Sequence, residues 1–169
     1  MERIVVFLFV AMVLGINTVS AEIRKTPDNF SGGVILRSNY LTIEDPIKAV
    51  GFDKIITPDS IEYELCIAEK MQRKFMFEDS IVEIKINNSD TYRITIKEAD
   101  PFPFNNLVLG INDLDPSGFK ATIPDEVINE IETAEHVSFR LRDRSGMPFV
   151  FILPDKVLAE WQQVIATEQ

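Results

Sequence analysis

Apolar and polar residues alternate with a period of two through most of the chain from Val34 onward, the signature of strands with one face in a core. "VILRSNYL" (Val34 to Leu41) and "AVGFDKII" (Ala49 to Ile56) read as strands, separated by the turn residues of "EDP" at Glu44 to Pro46. In "IEYELCIA", Ile61, Tyr63, Leu65 and Ile67 point one way and Glu62, Glu64, Cys66 and Ala68 the other. A hairpin follows. Val82, Ile84 and Ile86 answer Tyr92, Ile94 and Ile96 across a turn of Asn87 to Asp90, residue types that tolerate left-handed backbone. The stretch "DPFPFNNLVLGINDLDPSG" predicts a loop around one short strand, Leu107 to Ile111.

The last third alternates strand and helix. "FKATI" (Phe119 to Ile123) leads into a 3.6-residue stripe of Val127, Ile128, Ile131 and Ala134. "VSFRLRDR" returns to period two, and Ser145-Gly146 predicts a turn. "PFVFIL" is apolar on both faces and predicts a central strand covered on both sides. A second stripe, Val157, Leu158, Trp161, Val164 and Ile165, places Trp161 in the core. These elements predict an α+β fold, mainly antiparallel β (a sandwich or partly open barrel), with two short helices in the C-terminal third.

One phrase occurs twice at a thirty-residue offset. "FKATIPDEVINEI" and "FVFILPDKVLAEW" share Phe119/Phe149, Pro124/Pro154, Asp125/Asp155, Val127/Val157 and Glu130/Glu160. Pro and Asp suit a helix start, through the fixed φ of proline and through a carboxylate near the positive end of the dipole. The two phrases therefore predict two strand-to-helix corners, with Glu130 and Glu160 facing solvent. Phe151 and Trp161 replace Ala121 and Ile131, so the second corner is expected to be the more deeply buried. "ATIPDEVINEIETAEHVSFRL" (Ala121 to Leu141) also resembles the strand, helix start and return strand of the AbrB-like swapped-hairpin transcription regulators. The acidic "PDE" at Pro124 to Glu126 departs from those basic DNA binders. The resemblance therefore implies a shared local shape and no shared function.

The first residues change the picture of where the protein works. Arg3 precedes thirteen apolar or glycine residues, Ile4 to Ile16, and Val19-Ser20-Ala21 supplies small residues for cleavage before Glu22. A membrane span needs about 20. Residues 1–21 thus read as a secretory signal peptide and 22–169 as a single β-rich domain, exported to a periplasm, cell surface or extracellular space and not stably inserted in a membrane. The lead-in from Glu22 to Phe30 is expected to be flexible. With 27 acidic against 17 basic side chains the chain carries a net charge of −10, which repels nucleic-acid phosphates. Cys66 is the one cysteine, so no internal disulfide stabilises the fold.

Candidate chemistry is sparse. Asp113, Asp115, Ser117 and Gly118 begin like a calcium loop, but its twelfth position is Pro124, where a bidentate Glu is required. Calcium is the one cofactor suggested, through a site of another kind. Glu62 and Glu64 share a strand face about 7 Å apart, a spacing compatible with paired acid and base carboxylates. The plainer expectation is a solvated face salted by Lys85, Arg93 and Lys97 of the hairpin. Cys66 on that face is expected to be less buried than most cysteines, and no motif links it to His136, the one histidine. Arg140, Arg142 and Arg144 form a basic row able to clamp an anion or pair with acidic neighbours. Phe102 and Phe104, in a loop, are candidates for an exposed contact. Asn29 and Asn87 open Asn-x-Ser sequences. The reading that follows is an exported, non-enzymatic binding module with a protein or small-molecule partner. Its alternatives are a hydrolase using Glu62/Glu64 and a calcium-stabilised protein.

Overall fold

The computed structural model describes residues 22–28, 32–42, 47–69, 81–89, 91–98, 118–142 and 145–168. Among these residues ten strands and two helices follow one another: β1 (Glu22–Asp28), β2 (Gly33–Leu41), β3 (Ile47–Ile56), β4 (Ile61–Glu69), β5 (Ile81–Ile86), β6 (Thr91–Thr95), β7 (Lys97–Glu98), β8 (Gly118–Thr122), α1 (Asp125–Ile131), β9 (Val137–Arg142), β10 (Pro148–Ile152) and α2 (Asp155–Ala166). The strands form a six-stranded sheet, β1-β2-β3-β4-β8-β7, and a four-stranded sheet, β10-β9-β5-β6. Every pairing is antiparallel. The expected α+β architecture dominated by antiparallel strands is therefore the observed one.

The alternation places the core. Leu36, Phe52, Leu65, Ile67 and Ala121 of the large sheet share one apolar cluster with Val82, Ile84, Val137, Phe139 and Phe151 of the small sheet and with the stripes of both helices. Trp161 of α2 lies between the sheets, its ring 4.7 Å from Phe52 and 5.7 Å from Phe139. Full burial of an aromatic this size makes α2 a structural key: the side chain contributes apolar contact to two sheets at once.

Both helices start the same way. Pro124 and Pro154 occupy the N-cap with near-identical extended backbone, and each carbonyl accepts the first turn's N–H groups, from Val127 and Ile128 or from Val157 and Leu158. Neither helix has a side-chain cap, so Asp125 and Asp155 act as first-turn charges on the dipole and not as hydrogen-bonded caps. The C-terminal ends are closed from elsewhere. Lys54 of β3 donates to the carbonyls of Ile165 (2.7 Å) in α2 and Thr167 (2.9 Å) just past it, and Gln162 of α2 donates to those of Ile131 at the end of α1 and Ala134 beyond it. Asn87, at φ 49°, ties the hairpin turn to the next connection by accepting the N–H groups of Glu135 and His136.

Three expectations need correction. The lead-in is a strand: β1 pairs with β2 over its whole length and is exposed from Arg24 to Pro27. "PFVFIL" is not central, because β10 ends the small sheet and only its inner row, Phe151 then Leu153, is buried. The hairpin β5–β6 belongs to the small sheet, so Lys85 and Arg93 are not neighbours of Glu62 and Glu64 in the large one.

Candidate functional site

Side chains on the outer face of the large sheet gather by register. Arg37 of β2 stands opposite Asp53 of β3, Asp53 opposite Glu64 of β4, and Cys66 opposite Lys120 of β8. Arg37 grips the Asp53 carboxylate with two bonds, Nε at 2.7 Å and Nη2 at 2.6 Å, and Lys120 meets Glu64 at 2.6 Å. Asp53 is buried, and Cys66 beside it is only 1% exposed, its Sγ 4.0 Å from the Asp53 carboxylate. The expectation of an accessible Cys66 is thus overturned: the thiol shares a small buried cluster with Ala49 and Ala68.

The electrostatics of this cluster follow from pairing in a partly dry setting. Burial, followed by the nearby Asp53 charge, pushes the Cys66 thiol well above its ordinary range, so it stays neutral and unreactive at physiological pH. For Arg37 and Lys120 burial works against the charge, but their hydrogen bonds to Asp53 and Glu64 together with the surrounding negative charges outweigh it and raise both. Asp53, Glu64 and Cys66 place one ligand atom each within 4.8 Å of the others, close enough to hold a cation. Both carboxylates are already matched one-to-one by Arg37 and Lys120, and a thiol ligand would have to lose its proton. Chemically the arrangement is a neutralised ion-pair network. Glu62, two residues away, is exposed.

The basic row on β9 has an equally specific environment. Arg140 bonds Glu83 of β5 through Nε, and Arg93 of β6 approaches the same carboxylate at 3.5 Å. The Arg140 hydrogen bond, and then the surrounding arginine charges, hold the Glu83 carboxyl below its usual range against the opposing effect of burial. Among the described residues Arg142 reaches the Gly146 carbonyl, at 3.5 Å. Of the predicted contact and metal residues, Arg140 and Arg142 lie on the outer face of the small sheet. Phe102, Phe104, Asp113, Asp115 and Ser117 lie outside the described residues, as do Arg144 and the Leu107 to Ile111 run.

Beside this arginine row runs β10. Arg140 pairs with Val150, Arg142 with Pro148 and Ser138 with Ile152. Val150 is 52% and Ile152 67% exposed. A separate cleft of about 370 Å³ opens between the β1–β2 and β3–β4 turns, floored by Leu36 and Ile56 and rimmed by Lys25 and Glu168. Neither Glu62 nor Glu64 lines it.

Sequence reasoning missed Arg37, Asp53, Lys54 and the edge position of β10. One signal was there to find: period two places Lys54 in the row Val50, Phe52, Ile56, and a lysine in a core row requires acceptors. Among the described residues no helix is long and apolar enough to cross a membrane. No family model, curated protein or solved structure matches the chain.

Proposed function

We propose that this protein is an exported, non-enzymatic interaction module whose contact surface is the β10 rim of the small sheet. One observation carries the reading: a sheet edge of five residues, Pro148 to Ile152, bears no charge and leaves Val150 and Ile152 in water. Proteins usually blunt such edges with lysine, proline or extreme shortness, because the unpaired backbone recruits further strands; in β10 Pro148 stands at the strand's first position and the four residues after it carry no such protection. Among the described residues the other three sheet edges are blunted. β1 reads Glu-Ile-Arg-Lys-Thr-Pro-Asp, β7 is two residues long, and β6 presents Thr91, Arg93 and Thr95. Export rests on the N-terminal segment described above. The absence of turnover is supported by the engagement of Asp53, Glu64 and Glu83 in ion pairs and by the sealed thiol of Cys66.

The test places a photo-crosslinking residue at Ile152 and, separately, at Thr95 on the opposite rim. Adducts specific to Ile152, lost in Val150→Lys, support the reading. Hydrolysis of model ester, peptide or glycoside substrates that disappears in Glu62→Gln or Glu64→Gln would overturn it in favour of an enzyme.

A further inference from the structure

We propose that the β10 rim pairs with the β10 rim of a second copy, joining two small sheets into one of eight strands about a two-fold axis. The inference rests on the interaction reading above and names its partner. The backbone polarity of the edge is set by one bond beyond the strand: Leu153 N–H donates to the Val137 carbonyl on the β9 side. In an antiparallel ladder bonded pairs alternate. Phe149 and Phe151, in register with Leu141 and Phe139, therefore also spend their backbone groups on β9. Those of Pro148, Val150 and Ile152 point outward. The missing N–H of proline thus falls on the free side.

Identical edges related by a two-fold axis normal to the sheet meet antiparallel. With the axis at Val150, Val150 faces Val150 of the second copy and Pro148 faces its Ile152. The Val150 pair exchanges two hydrogen bonds, and each Pro148 carbonyl accepts one from Ile152, about four in all for so short a ladder. The exposed side chains fit the same register: Ile152, Val150 and Pro148 of one copy lie against Pro148, Val150 and Ile152 of the other, an apolar row without a charge.

Charge decides for a second copy over a generic acidic or basic partner. The middle row would run Arg140, Val150, Val150, Arg140, so the two arginines stand three strand spacings apart, about 14 Å. Each is already paired with its own Glu83. The outer rows run Ser138, Ile152, Pro148, Arg142, one cation each. No like charges meet, although the chain as a whole carries −10. A partner strand with acidic side chains would gain Arg142 alone, and one with basic side chains would be repelled by it.

Five paired residues bury less than a standard interface, so the dimer should be weak, with a dissociation constant of about 10 to 100 µM. Sedimentation equilibrium of the purified protein across that range should show a monomer–dimer equilibrium. Val150→Lys or Ile152→Lys should raise the dissociation constant at least about tenfold, while Thr95→Lys on the β6 rim leaves it unchanged. Circular dichroism and melting confirm that each variant is folded. Val150→Cys gives a second, direct reading. A bonded antiparallel pair sets Cα atoms about 5.5 Å apart, within disulfide range, and Cys66 is buried, so mild oxidation should yield a covalent dimer through position 150. A wild type that stays monomeric at the top of the range, or a dimer indifferent to both lysine variants, overturns the proposal. If the monomer still gives Ile152-dependent crosslinks to another protein, the interaction reading survives and only its partner is wrong.

Discussion

The two strand-to-helix corners begin with the same words and end in different places. In both, the strand feeds an N-cap proline and a first-turn aspartate, and two positions after the aspartate Val127 and Val157 are fully buried. Their flanking strands differ. β8 runs between β4 and β7 inside the large sheet, whereas β10 closes the small sheet with no further strand beyond it among the described residues. The expectation that the second corner lies deeper fails in that form. Ala121, Ile131, Phe151 and Trp161 are equally inaccessible, and the corner with the larger side chains is the one whose strand is half in water. Side-chain size sets how much area a position buries; sheet order sets whether the neighbouring position is buried at all.

The shared glutamates make the same point on a finer scale. Glu130 and Glu160 were expected to face solvent, yet each accepts a hydroxyl from a strand: Tyr92 Oη at 2.5 Å and Ser38 Oγ at 3.2 Å. The repeated residue docks each helix against a different sheet, because Tyr92 belongs to β6 and Ser38 to β2.

The comparison can be broken most forcefully in the core. Trp161→Ala should cost about 4 kcal/mol and Ile131→Ala about 3, as cavities of different volume at equal depth. Denaturant unfolding of the two variants would refute the size argument if the order were reversed. Next come the helix ends. Lys54→Met removes the cation from the two carbonyls at the C-terminal end of α2 and should cost about 2 kcal/mol, whereas Gln162→Leu removes a neutral donor from the end of α1 and should cost about 1. Equal losses would show that charge contributes nothing to closing α2. For the shared glutamates, Glu130→Gln should lower stability by about 1 kcal/mol and Glu160→Gln by about half that, given the longer bond to Ser38.

The smallest effects should separate the corners by pH. Glu83 of β5, held below its usual range by Arg140 of β9, the strand beside β10, contributes stability that is complete above about pH 4.3 and is lost as pH falls through its folded value. Lys120, raised on β8, contributes stability that is complete below about pH 10.4 and is lost as pH rises through its folded value. Melting curves should therefore show Glu83→Gln flattening the acid limb alone and Lys120→Met the alkaline limb alone. A variant that moves both limbs would mean that the two networks are coupled.

How much of this was legible beforehand varies with the distance over which residues act. The hairpin turn at Asn87, the inward row Val137, Phe139 and Leu141, and the stripe containing Trp161 follow from local periodicity, and the structure places each as the alternation requires. The acid/base candidates fared differently, because partners come from register. Nothing within ten residues of Glu64 announces Lys120, which lies 56 positions away. The Arg37–Asp53 pair likewise arises from β2 lying against β3 with Arg37 opposite Asp53.

The chain by itself therefore determined the kind of elements, their inner faces, the two helix starts and the acidic surface, all consequences of side-chain pattern and backbone preference within a few residues. Tertiary structure alone decided which strand became an edge, which carboxylates found cations, and that a lone cysteine would be sealed. Those outcomes depend on strand order and register, and a two-residue period carries no information about which strand will lie alongside.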